Sequence, residues 1–115
     1  MFNFEKLEVW HKSNKLADEV ELLTKDCPHS NQFSLGEQLR RASLAVGTNI
    51  AEGCGRNSKK EFRYFLNIAK GSVYEVAGLL FRAEDRGFCS KERFNQMYKD
   101  SEEIARMLSS LMKTL

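Results

Sequence analysis

Proline is nearly absent: Pro28 is the only one in 115 residues. Such a chain has little to interrupt a helix once begun, except around that position, where Pro28 disfavours helical geometry at Cys27. Long apolar runs are also missing. Nothing approaches the ~20 apolar residues needed to cross a bilayer, so no membrane span is expected. Sustained two-residue alternation is lacking and β-branched residues are sparse, so no strands are expected. The first residues, MFNFEKLEVWHK, carry no basic stretch followed by an apolar core. No secretion signal is read there, and a cytoplasmic location is expected.

Reactive side chains are few. Cys27, Cys54 and Cys89 are far apart and form no C-x-x-C. Half-buried thiols in a reducing compartment are expected, not disulfides. Cys27-Pro28-His29 offers too few ligands for zinc, and no metal or other cofactor is expected. With His11 and His29 as the only histidines, no nucleophile–base order stands out. Cys54 reads as a small residue in a tight corner, and Trp10 as a core or interface anchor. No enzyme is read.

A strong overall charge is missing too: 18 basic residues meet 16 acidic ones, for a net charge of +2. The distribution is more telling. Between residues 31 and 70, seven cations (Arg40, Arg41, Arg56, Lys59, Lys60, Arg63, Lys70) face three acids (Glu37, Glu52, Glu61). A local basic surface of this kind suits phosphate.

What is present is helical periodicity. A first segment runs from about Glu5 to Asp26, with Leu7, Trp10, Ala17, Val20 and a parallel row at Val9, Leu16 and Leu23. A second begins at Ser34, where Ser34-Leu35-Gly36-Glu37 has the form of a capping box, and carries Leu35, Leu39, Ala42, Val46 and Ile50. A third begins at Ser58, with a second capping box through Glu61, and continues through Phe62, Phe65 or Leu66, Ala69, Val73, Val76, Leu80 and Ala83. A fourth follows Ser90, with Phe94, Met97, Ile104, Leu108, Leu111 and Leu115. Short breaks between such segments make antiparallel neighbours. The expected fold is all-α: one domain over residues 1–115, an up-and-down antiparallel four-helix bundle.

The corner NIAEGCGRNSKKEF combines glycines with a basic run. It lacks the G-x-x-x-x-G-K-[ST] spacing and the preceding strand of a nucleotide-phosphate loop. Gly53 or Gly55 is expected to take a left-handed conformation that ends the second helix. Arg56, Lys59 and Lys60 then stand at the positive end of the third helix, where cations are mildly unfavourable. Anion binding or simple solubility would each account for them. Asn49 and Glu52, near the Ile50 face, are a polar pair suited to fixing the turn or the helix register.

Small residues recur at Ser43, Gly47 and Ala51 on the second segment, and at Gly71 and Gly78 on the third. Glycine within a helix costs about 1 kcal/mol relative to alanine, and close helix approach is the usual return. Two such faces, with Tyr74, Leu79 and Phe81 in addition, exceed what one small bundle uses. A homo-oligomer is expected, with the second or third helix at the subunit boundary.

FEKLEVWHKSNKLADEV, the block from FSLGEQLRRASLAVGTNIAEGCG to SVYEV, and the Ile104–Leu115 tail together resemble the bacterial four-helix-bundle family named for the 23S rRNA intervening-sequence protein. The specific part is Gln38 to Ala42, Asn49-Ile50-Ala51-Glu52-Gly53 and Ser58-x-x-Glu61-Phe62. The last of these brings Ser58 and Glu61 into the family signature with Asn49, Glu52 and Gly53. The resemblance implies assembly as a ring, commonly a pentamer. The chain is also similar to the basic pentameric accessory protein of diversity-generating retroelements, which binds a reverse transcriptase and nucleic acid. By that likeness Arg40, Arg41, Arg56, Lys59 and Lys60 are nucleic-acid-binding positions. Two functions follow as expectations: binding of structured RNA or an RNA–DNA hybrid, or a scaffold for a protein partner.

Overall fold

In the computed structural model, residues 1–25 and 31–115 are described, with side chains from residue 34 onward in the second stretch. A short 3-10 turn, Asn3–Lys6, precedes four helices: α1 (Glu8–Lys25), α2 (Asn31–Cys54), α3 (Lys59–Asp85) and α4 (Lys91–Lys113). Among the described residues there is no strand. No helix is long and apolar enough to cross a membrane among the residues described.

The periodic rows become the core. Leu16, Val20, Leu39, Val46, Ile50, Leu66, Val73, Val76, Leu80, Ile104 and Leu108 are fully enclosed. Consecutive helices pack side by side and α4 returns against α1, closing a bundle 44 × 22 × 21 Å in extent. The long axis fits α3, whose 27 residues span about 40 Å at 1.5 Å per residue. Cross-helix neighbours give the direction. Gly36 lies against Thr24 and Gly47 against Asn14, so α1 and α2 are antiparallel. Arg63 reaches Met112, while Phe81 meets Phe94, so α3 and α4 are antiparallel too. Lys12 and Glu103 pair at 2.9 Å across the α1–α4 seam, in solvent, where such a pair adds little.

Helix ends are closed in several ways. Ser58 Oγ accepts the Glu61 amide at 3.1 Å and donates to Glu61 Oε2 at 3.2 Å. The expected capping partners meet, though the glutamate takes the serine hydroxyl. Ser90 caps α4 by accepting the Arg93 amide at 3.1 Å. The last turn of α2 is closed from outside by Asn3 Nδ2, which donates to the Cys54 carbonyl at 2.9 Å. Arg63 Nη2 does the same for Met112 near the end of α4, at 2.9 Å.

Two local expectations are corrected. Ser34 does not cap α2, because the helix already runs from Asn31 and Ser34 lies inside it. Neither Gly53 nor Gly55 is left-handed. The positive φ, +81°, belongs to Gly87. There the Phe88 amide bonds Ala83 O at 3.2 Å and the Gly87 amide bonds Glu84 O at 3.0 Å, the paired bonds of a Schellman ending for α3. Alpha2 instead ends in tightened turns, with Gly55 N–H on Glu52 O and Arg56 N–H on Gly53 O, both at 3.1 Å.

Candidate nucleic-acid interface

The α2–α3 corner is built on close packing. A Cβ at Gly53 would stand 2.9 Å from Phe65 Cβ and 3.0 Å from a Phe62 ring carbon. Only glycine lets the two backbones meet there, which explains its place in the motif better than conformational freedom does. Around this contact lies a hollow of about 220 Å³ bordered by Asn3, Cys54, Arg56, Ser58 and Lys59.

The cations of the corner are not equivalent. Arg56 Nη2 donates to Glu52 Oε2 at 2.8 Å, and its guanidinium lies 4.6 Å from the centre of the Phe65 ring. Glu52 therefore neutralises Arg56, four residues on, and the aromatic face holds it down. Lys59 and Lys60 are exposed in the first turn of α3. Asn49 turns inward along its own helix, with Nδ2 donating to the Ala45 carbonyl at 2.8 Å. Glu52 thus reaches the turn through Arg56, while Asn49 bonds only back along its own helix, so the two do not act as a pair.

Arg40 and Arg41 do not join the corner. Arg41 is exposed and Arg40 half-buried, and they lie on α2 more than a dozen residues before Cys54, about 20 Å along the axis at 1.5 Å per residue. Arg63 is engaged with Met112. The five candidate phosphate contacts therefore form two groups: Arg56, Lys59 and Lys60 at one end, and Arg40 and Arg41 toward the other.

The basic window read from sequence stops at Lys70 and so misses two cations. Arg82 and Arg86, one turn apart near the end of α3, line a groove of about 390 Å³ against α2, with Ser34 and Gln38 opposite and Leu35 and Leu79 at its floor. Arg41 continues the α2 face of Ser34 and Gln38 by helical spacing.

The small residues divide as well. Ser43 is buried, its hydroxyl donating to the Arg40 carbonyl at 3.1 Å. A Cβ at Gly47 would lie 3.1 Å from Asn14 Oδ1 and 3.7 Å from Trp10 Nε1. Gly47 is thus used against α1 of the same chain, and Ser43 is likewise enclosed within it. Ala51 is half-buried. Gly71 and Gly78 are exposed, with nothing within 4 Å of where a Cβ would be. Beside them stand Tyr74 and Phe81, 64% and 49% exposed, next to a 270 Å³ groove reaching Tyr98, Ala105 and Arg106 on α4.

Three of the residues weighed for chemistry, Cys54, His11 and Trp10, have defined surroundings. Burial pushes the Cys54 thiol up, away from the thiolate a nucleophile needs. His11 Nε2 donates to the Glu5 carbonyl at 2.7 Å. Trp10 is half-buried between Phe4 and His11 and packs against the core. Cys27 and His29 lie outside the described residues. Among the described residues, no three or more His, Cys, Asp or Glu side chains come together to hold a metal.

Residues 5–110 match the profile described as 23S rRNA-intervening sequence protein. A crystal structure of a protein of unknown function from the S23 ribosomal protein family of Bacteroides thetaiotaomicron VPI-5482 has the same fold, with a TM-score of 0.85. It is 27% identical over 91% of this chain and 98% of that one. No curated protein matches the chain.

Proposed function

The chain belongs to the 23S rRNA-intervening sequence protein family, and from that premise we propose that it is a cytoplasmic, non-enzymatic bundle that binds structured RNA as a homo-oligomer, a pentamer by family resemblance. The observation that carries this reading is the exposure of Arg41, Lys59 and Lys60 along α2 and its corner with α3. Among the described residues none of the three has an acidic side chain within 4 Å, unlike Arg56.

A few cations on one subunit bind weakly. The same cations repeated around an assembly act together, at the high effective concentration that a shared scaffold supplies. Gly71, Tyr74, Gly78 and Phe81 offer the face on which subunits would meet, since it is open and partly apolar in the single chain. The lack of an activated Cys54 supports a non-catalytic role.

The test is fluorescence anisotropy of a labelled RNA hairpin, with duplex DNA and an RNA–DNA hybrid alongside. Salt-sensitive binding weakened in an Arg41→Ala/Lys59→Ala/Lys60→Ala variant supports the reading. Equal binding by the variant removes these three positions from the contact, and no binding by the wild type at low salt opposes the reading. The open α3–α4 face also favours a second reading, a scaffold for a partner protein such as a reverse transcriptase. Under that reading a protein, and no RNA, co-purifies with the assembly, and a Tyr74→Glu change releases it.

A further inference from the structure

We propose that the α2–α3 groove holding Arg82 and Arg86 is the main phosphodiester contact of this protein. The proposal rests on the nucleic-acid reading above and moves its centre from the glycine corner to the opposite end of the bundle.

Two features set the groove apart from the corner. The first is room: about 390 Å³ against about 220 Å³. The second is the state of the cations. The corner's arginine is committed to Glu52 and to Phe65. Among the described residues, Arg82 and Arg86 have no acidic side chain within 4 Å. Glu84, between them in sequence, pairs with Lys91 at 3.4 Å.

The composition fits a phosphate strand. Two arginines at an i, i+4 spacing repel each other, so their placement on the groove side of one helix is not explained by packing. The dipole of α3 accounts for a cation near its end, but not for a pair beside a groove facing another helix. Guanidinium forks bind phosphate oxygens in pairs, which an ammonium does not. Ser34 and Gln38 bring neutral donors to the opposite wall, and Arg41 extends the cationic edge along α2. Arg82 and Arg86 are about 6 Å apart along the axis, and a strand offers a charge every ~3.4 Å, so both can be engaged by one short run of backbone. Leu35 and Leu79 at the floor give the sugar edge a less polar surface.

The experiment is anisotropy of a fluorescein-labelled RNA hairpin with the full chain, titrated at several salt concentrations. Wild type is compared with Arg82→Ala/Arg86→Ala, with Arg82→Lys/Arg86→Lys, and with a Lys99→Ala control on exposed α4 surface. Circular dichroism and native mass check that each variant keeps its fold and assembly. The alanine pair is expected to weaken binding about tenfold or more, and to lower the salt slope by roughly 1.4–1.8, as for two lost phosphate contacts. The lysine pair keeps the slope and loses affinity, and Lys99→Ala matches wild type. If wild type binds and the alanine pair binds equally well, the groove proposal is overturned while the nucleic-acid reading stands. If wild type does not bind at low salt, both fall.

Discussion

Gly53 on α2 and Phe65 on α3 touch so closely that an alanine methyl at position 53 would stand 2.9 Å from the Phe65 Cβ. That carbon is fixed to the backbone of a packed helix and cannot swing aside. Gly53→Ala is therefore expected to destabilise the fold by about 1–3 kcal/mol, as overpacking does. Gly78→Ala is the counterpart, because its methyl would enter open space. In an isolated chain it is expected to add about 0.5–1 kcal/mol. Urea unfolding of both variants checks the contrast. A stabilised Gly53→Ala would remove the close contact from the account.

Gly87 carries the left-handed conformation that ends α3, at φ +81°. Gly87→Ala is expected to cost about 1–2 kcal/mol through steric strain alone, since space around it is open. Alanine at Gly55, which is not left-handed, carries no such strain. Denaturation midpoints of the two variants decide which glycine holds the special geometry.

These glycines also mark what was legible in the sequence. The helices were, because apolar residues at three- and four-residue steps admit one buried face, and Leu39, Val46, Ile50 and Leu80 occupy it. The cap at Ser58 was also legible, since a cap is a local bond, and so was the start of α4 just after Ser90. The start of α2 was not: Ser34-x-x-Glu37 has the pattern of a cap, but the helix extends one turn further back. Which glycine turns left-handed depends on the path of the next helix, so Gly87 carried no signal that Gly53 lacked. Gly47 faces Asn14 and Trp10 across another helix, a relation no local spacing encodes. The Arg82–Arg86 groove was hidden for the same reason. Its walls are more than forty residues apart in the chain, and a linear charge count ending at Lys70 passes it by.

Glu19 faces Asp100 across the α1–α4 seam. Burial, and then the neighbouring Asp100 charge, hold its carboxyl above the ordinary value of 4.5. The folded protein thus keeps this proton more tightly than the unfolded chain. The stability that follows is present below the ordinary value and is lost as pH rises through the raised one. Glu19→Gln is expected to be more stable than wild type at pH 7 and to lose that advantage in acid. Urea titrations at pH 7 and pH 4 measure this. A variant less stable than wild type at pH 7 would contradict it.

Tyr74 stands in solvent between Gly71 and Gly78 on the face proposed for subunit contact. Tyr74→Glu is expected to leave the helical content intact and to reduce the native mass toward the 13.2 kDa of one chain. Light scattering at micromolar concentration reads the result. An unchanged assembly would place the boundary on another face.

The most direct measurement is the salt dependence of RNA-hairpin binding by the wild-type protein, read by anisotropy. Exposed cations meeting phosphate predict measurable binding at 50 mM salt and a loss of about tenfold or more by 200 mM. Absence of binding at 50 mM salt, or an affinity that does not change between the two, would contradict the account.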